Sequence, residues 1–383
     1  MARDRFDRLL VAGTQARPQP LFAGAVLGLD QGGKVTRRSC GRAYAYADEI
    51  GTPLPPSEVI NVTKNTIFDL ASLTKLFTAT VILQLVERGV IGLDDRISDY
   101  FTSYAAPGRD AVSIRHLLSH TSGLPAETFA WRDLPDVTAR RGAVLSQPLE
   151  TTPGTCFHYS CVGYLTLGLL AEHVTGSPMD VLVRNQICGP LGLHDTGYRP
   201  LKNLPPPTRS RIAATEMRRI TWSADIDPSS GDHRGIVHDE NAAGFGGSAG
   251  NAGVFGTVAD LLIFGRAFLR ALCLEGQPPG QGVGLGISPH LVREMVVAQL
   301  PTRRPPDFQT GLGFRIDDAS FMGGLAGTGR AYGHTGFTGT SMIIDEARDL
   351  VMILLTNRVH PSRRWSELNP FRRHLADLVA SQR

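Results

Sequence analysis

Ser72-Leu73-Thr74-Lys75 sets a hydroxyl and an amine three residues apart at the head of an apolar run. From Ser72 to Gly89, Leu76, Phe77, Ala79, Val81, Ile82, Leu83, Leu85 and Val86 leave no polar side. A spacing of three puts both groups on one helical face, and a helix that is apolar all round is a buried one. The chemistry this permits is nucleophilic acyl transfer. A serine hydroxyl attacks a carbonyl when a neighbour takes its proton, and a lysine takes it when burial or a nearby cation lowers its pKa. The helix N-terminus adds backbone N–H groups and a positive dipole for a developing oxyanion. Taken alone, the four residues read equally as an N-cap serine followed by a solvated lysine.

Two further segments change that balance. Pro153-Gly-Thr-Cys-Phe-His-Tyr159-Ser160-Cys161 sets a tyrosine just ahead of a helical run, and Gly333-His334-Thr335-Gly336-Phe337 lies on a strand signal. Together with Phe68-Asp-Leu-Ala-Ser72-Leu-Thr-Lys75, they resemble the three motifs of the class C β-lactamase and penicillin-binding-protein-like serine hydrolase family, in the same order and spacing. Ile114 to Pro125, Gly163 to Gly176, Pro190-Leu-Gly-Leu193 and Val237 to Thr257 resemble it as well, so the likeness runs from about residue 5 to the end. It implies Ser72 as nucleophile, Lys75 as its proton acceptor and Tyr159 as the shared base and acid. His334 takes the first place of a Lys-Thr-Gly motif, Cys161, Thr335 and Gly336 take substrate-binding places, and the backbone N–H groups of Ser72 and Phe337 form the oxyanion hole.

The chain departs from the family pattern in two places. Cys161 stands where Asn is usual and cannot supply an amide's two hydrogen bonds, and His334 removes a permanent cation from the side where β-lactams and peptides carry a carboxylate. The first ten residues interleave charges and carry no signal-peptide core, which leads us to expect a cytoplasmic protein. The expected donor is therefore an ester, amide or thioester. D-alanyl-D-alanine carboxypeptidase or weak β-lactamase activity is one alternative, and a catalytically silent ligand-binding member of the fold is another. An unperturbed imidazole at His334 would make activity fall through about pH 6 to 7.

The elements that must hold these groups are legible as patterns. Phe6, Leu9 and Leu10 mark a short amphipathic helix, and Phe22 to Asp30, the turn Gln31-Gly32-Gly33 and Lys34 to Tyr46 mark a hairpin. Helices are expected at Ile114 to Leu118, at Val162 to Val174 with Gly176 as the stop, and at Val258 to Leu272. Strands return at Gly311 to Ile316, Ser341 to Ile344 and Leu350 to Thr356, before a helix near Trp365 to Ala380. Strands at both ends with helices between imply an α/β fold of the β-lactamase/transpeptidase-like kind, an antiparallel sheet flanked by helices with a mainly helical inserted domain. Residues 1–70 plus 285–383 would form the α/β sandwich domain and 71–284 the helical one, with the site at their junction.

Composition narrows the partners. Of 383 residues 42% are hydrophobic and 20% charged, as in a folded protein, and 39 basic against 36 acidic residues mark no nucleic-acid surface. No run approaches the ~20 apolar residues of a membrane span. The expected partners are a small-molecule acyl donor and, for transfer, a second small-molecule acceptor, with no cofactor or metal implied. Five widely spaced cysteines without a Cys-x-x-Cys pair indicate neither a disulfide framework nor a zinc site. Gly246-Gly-Ser248-Ala-Gly250 meets a Gly-x-Ser-x-Gly pattern, but no strand runs into it, so it reads as a loop close to the cleft. His116 and His120 have zinc-helix spacing without the intervening Glu and read as structural. Asn61-Val-Thr63 meets a glycosylation pattern, and His238-Asp239-Glu240 either line the cleft or cap a turn.

Overall fold

Gly32 and Gly33 both take positive φ, the backbone that a two-residue hairpin turn demands, and join β1 (Gly24–Gln31) to β2 (Lys34–Tyr44). A computed structural model describes residues 4–203, 209–217, 234–274, 284–300 and 308–382. β3 (Ile60–Asn61) extends this edge, and the other half of the sheet comes from the C-terminal region: β7 (Gln309–Thr310), β8 (Arg315–Ile316), β9 (Ala331–Thr335), β10 (Ser341–Asp345) and β11 (Leu350–Thr356). The order is β3-β2-β1-β11-β10-β9-β8-β7, antiparallel throughout. The two ends of the chain meet where β1 pairs with β11, with Leu27 opposite Leu354.

β1, β10 and β11 are buried on both faces, as their continuous apolar runs require. On one face, α1 (Arg5–Gln15) and the C-terminal helix (Asn369–Ala380) close over Leu27, Ile343 and Met352 with Phe6, Leu10, Phe371 and Leu375. On the other, Val26, Val351 and Ile353 join a core continuous with the helices of the middle region. Each fully buried Leu or Phe contributes on the order of 1.5–3 kcal/mol, so this shared core binds the layers together. The helix Val258–Cys273 packs directly on β1, β10 and β11 although it falls within 71–284, so the sheet layers draw on that span too.

The apolar run after Ser72 becomes α2 (Thr74–Glu87), with every residue from Thr74 to Leu85 buried. It is entered through a small second sheet of β4 (Phe68–Asp69), β6 (Val254–Gly256) and β5 (Gly197–Tyr198), then one 3-10 turn, Ala71–Leu73. The helical run at 162–174 is α4 (Cys161–Thr175), capped by Ser160 at one end and by left-handed Gly176 at the other. α3 is Ile114–Leu118.

Two boundaries differ from expectation. Gly311 to Ile316 is not one strand, because Gly313 at φ +93° reverses the chain between β7 and β8. The last helix starts at Asn369 because Pro370 sits in its first turn, where a missing N–H costs nothing. Among the described residues no helix is long and apolar enough to cross a membrane.

The close approach of α2, α4 and the loop before β6 rests on glycine. A Cβ at Gly250 would lie 2.1 Å from the Tyr164 carbonyl oxygen and 2.8 Å from the Gly168 nitrogen. Gly250→Ala is expected to cost about 2–3 kcal/mol by overpacking, read as a lower urea midpoint with an unchanged slope.

Candidate active site

Three of the buried polar side chains of α2 dock on the loop that leads into β6 and on the first residue of that strand. Thr78 Oγ1 donates to the Gly250 carbonyl at 2.8 Å, Lys75 Nζ to the Asn251 carbonyl at 3.1 Å, and Thr74 Oγ1 accepts from Val254 N–H at 3.1 Å. Lys75 is fully buried, and Nζ also lies 3.0 Å from Ser72 Oγ and 3.6 Å from Cys161 Sγ. The one-face geometry read from the spacing is what the structure contains.

Tyr159 is placed by the segment after α3. His158 N–H donates to the His120 carbonyl at 2.8 Å, Ser160 N–H to His120 Nδ1 at 3.0 Å, and Cys161 N–H to the Ala126 carbonyl at 2.8 Å. Ser160 Oγ donates to the Pro125 carbonyl at 2.6 Å while accepting Gly163 N–H to start α4. The Tyr159 ring thereby comes to 5.1 Å from Lys75 Nζ and 6.0 Å from the His334 ring. His120, at φ +58°, tilts against Tyr159 at 4.4 Å and lies next to the site, a placement its zinc-like spacing did not disclose. His116 instead accepts Ser113 N–H at the start of α3.

His334-Thr335-Gly336 ends β9 with His334 opposite Met342. Gly336 has no room for a side chain, since a Cβ would meet Thr340 Oγ1 at 2.1 Å and the Leu70 carbonyl at 2.5 Å. That tight seat brings Phe337 to Ser72. Neither the Ser72 nor the Phe337 backbone N–H has a hydrogen-bond partner among the described residues. Ala71 is held at φ +47°, a conformation rare for a residue with a Cβ, immediately before the serine.

The electrostatics correct two expectations. Burial alone pushes the Lys75 ammonium down, but the Cys161 sulfur, the Tyr159 oxygen and the Asp239 carboxylate outweigh it, and the net direction is up. Burial alone therefore does not set the direction here, and the proton-accepting role expected of Lys75 rests on its 3.0 Å approach to Ser72 Oγ. Burial pushes the Cys161 thiol up more than Lys75 draws it down. His334 is held well below the usual imidazole range by burial, then by Arg315 and Lys75. Its Nδ1 faces the Thr335 carbonyl at 2.7 Å and so carries the hydrogen, and its buried Nε2 has no hydrogen-bond partner. The loss of activity expected through pH 6 to 7 from His334 therefore does not follow.

Ser72, Tyr159 and Phe337 line two connected lobes of the cleft. One, of about 410 Å³, includes Thr335, Gly336, Arg315, Arg358 and Arg372. Arg315 reaches in from β8, paired with Asp318 at 3.0 Å and 5.6 Å from the Tyr159 ring. Arg372 is 6% exposed and pushed down to about 9 by burial, Arg358 and Arg315. Three arginines of neighbouring elements thus line the lobe beside position 334, together with Glu367, and this weakens the case from His334 against anionic substrates. The other lobe, of about 270 Å³, includes Cys161, Glu127, Phe129, Trp131, Asn241 and His238-Asp239-Glu240, which both line the cleft and cap a short helix, Glu240–Gly244. A larger concavity of about 910 Å³ around Asp30, Ile263 and Arg266 contains none of the motif residues, so chemistry rather than size selects the site. The Ser248 hydroxyl is buried with no hydrogen-bond partner among the described residues, so none of them activates it.

A model of the beta-lactamase family matches residues 17–377. A putative D-alanyl-D-alanine carboxypeptidase of Salmonella schwarzengrund is 32% identical over 356 residues, covering 86% of this chain and 78% of its own. One of the same description from Escherichia coli O157:H7 is 32% identical over 363 residues, covering 88% and 78%. Among solved structures, a penicillin-binding protein homologue from Caulobacter crescentus superposes with a TM-score of 0.66 at 23% identity, covering 99% and 98% of the two chains. EstCE1, described as a hydrolase with promiscuous acyltransferase activity, gives 0.66 at 21%, covering 98% of each chain. At these identities the structural likenesses establish the fold.

His120 and His334 are both held well below the usual range, and buried His360 is pushed down to about 4. The sign follows directly. Folded, these groups stay neutral, while the unfolded chain takes up protons below about pH 6.5, so stability is lost as pH falls through that point. The imidazole resonances of His334 should stay in the neutral position from pH 7.5 to about 5, and the urea midpoint should fall over the same range.

Proposed function

The chain belongs to the beta-lactamase family, and on that footing we propose that it is a serine hydrolase or acyltransferase whose acyl-enzyme forms on Ser72. The observation that carries this reading is the buried Lys75 Nζ at 3.0 Å from Ser72 Oγ with Tyr159 beside it. In this reading Tyr159, beside Lys75, takes the hydroxyl proton as Oγ bonds to the substrate carbonyl carbon. The carbonyl oxygen becomes an oxyanion between the free N–H groups of Ser72 and Phe337. Collapse breaks the bond to the leaving alcohol, amine or thiol, which receives the proton from Tyr159. Water or a second nucleophile then takes the acyl group by the same steps in reverse. Neutral His334, with the lone pair of Nε2 free, is an acceptor at the edge of this path and never its cation.

An ester, amide or thioester fits this apparatus, and hydrolysis and transfer differ only in the acceptor that the cleft admits. A second reading, carboxypeptidase action on a peptide ending in a D-alanyl carboxylate, is supported by the arginines that line the larger lobe and by the names of the curated relatives. Cys161 still lacks the paired amide bonds that would hold such a peptide.

Incubation with a fluorophosphonate followed by peptide mapping should place one adduct on Ser72. Ser72→Ala should abolish it, and a label that persists refutes the assignment. Tyr159→Phe and Lys75→Met should each slow acylation by about 10²–10⁴-fold while leaving the fold intact by circular dichroism.

A further inference from the structure

The smaller lobe of the cleft differs in character from the larger one. Glu127, Asp239 and Glu240 line it with the rings of Phe129, Trp131 and Phe337; the cations near it are Arg363, the Lys75 ammonium, Arg132 at 5.0 Å over the Phe129 ring and Arg358 at 4.6 Å over the Phe337 ring, so both rings already attract cations. Arg363 is already engaged, at 2.8 Å from Glu240 and 2.6 Å from Glu216. Asp239 caps Ala242 N–H at 2.8 Å, accepts from Asn251 Nδ2 at 3.1 Å and acts on the Lys75 ammonium, which leaves Glu127 as the carboxylate of the lobe nearest solvent. Glu127 is exposed on the rim, and its position is fixed from both sides. The Ala126 carbonyl is held by Cys161 N–H, and the Thr128 carbonyl by Asn241 Nδ2 at 3.1 Å.

Asn241 supplies an independent observation. It is 6% exposed and lines the lobe, its Nδ2 is spent on Thr128, and its Oδ1 has no hydrogen-bond partner among the described residues. A buried acceptor without a donor is costly unless something supplies the donor. Phe129 and Phe337 keep 55% and 49% of their surfaces exposed. Carboxylates, an orphaned carbonyl oxygen and aromatic faces have one ligand chemistry in common, a cation that donates hydrogen bonds.

Resting on the acyl-enzyme reading, we propose that this lobe binds a positively charged nitrogen of the substrate, so that the enzyme selects acyl donors bearing an ammonium group near the scissile carbonyl. Glu127 is then the specificity-determining residue at its rim.

The test compares charged donors with neutral donors of the same shape. Phenyl ε-aminohexanoate is set against phenyl heptanoate, and 3-aminopropyl benzoate against butyl benzoate. The ratio of kcat/KM, charged over neutral, should exceed one by about three- to tenfold at low salt in at least one pair and shrink as salt is added. The responding pair shows which half of the donor faces the lobe. Glu127→Gln should lower that ratio about threefold and Glu127→Lys should bring it below one. Ratios at or below one in both pairs, or ratios indifferent to the Glu127 variants, overturn the proposal while fluorophosphonate still labels Ser72. Loss of that label as well would overturn the acyl-enzyme reading itself.

Discussion

A buried ammonium without water must be paid in hydrogen bonds, and the arrangement around Lys75 is organised by that need. Taking a cation out of water costs several kcal/mol even after relaxation. Here the Asn251 carbonyl, the Ser72 hydroxyl and the Cys161 sulfur surround Nζ, and the Asp239 carboxylate acts on it from further off. Each partner sits on a different piece of chain. The charge can be accommodated only when the turn at Ala71–Leu73, the start of α4 and the loop before β6 have all come together. The site is thus a condition of the fold as much as a product of it.

The same requirement explains the glycines and the strain nearby. Gly250 lets a backbone carbonyl reach the Thr78 hydroxyl and presses the loop onto α4, and Gly336 lets β9 end against the Leu70 carbonyl. Ala71 accepts a left-handed backbone just before Ser72, whose N–H has no hydrogen-bond partner among the described residues. In the proposed reaction that N–H and the one at Phe337 are preorganised for a charge that appears only during reaction, which is when such donors act most strongly.

The cleft is also polarised across the nucleophile. Arg315, Arg358 and Arg372 outnumber Glu367 in one lobe, while Glu127, Asp239 and Glu240 outnumber Arg363 in the other. The first lobe offsets the cation missing from His334, and the second gives a use to the His238-Asp239-Glu240 stretch. Neither sign is visible in a net charge of +3 spread over the chain.

The sequence by itself determined the elements and the order of the chemistry. The apolar run of α2, the hairpin at Gly32-Gly33, the stop at Gly176 and the continuous β11 are local patterns, and Ser72, Tyr159 and His334 were legible because their motifs are short and contiguous. The small sheet under Ser72 and the reversal at Gly313 escaped because two-residue strands carry too little periodicity to read. Arg315 and His120 escaped because they enter the site from strands and loops distant in the chain, with no motif of their own. Protonation was decided by tertiary structure alone. Burial alone would lower Lys75 and an unperturbed ring would titrate at His334, yet the neighbours turn the direction at Lys75 upward, and burial, ahead of Arg315 and Lys75, holds His334 down. A pKa is set by burial and by charges within a few ångströms, and both depend on how the chain folds back on itself.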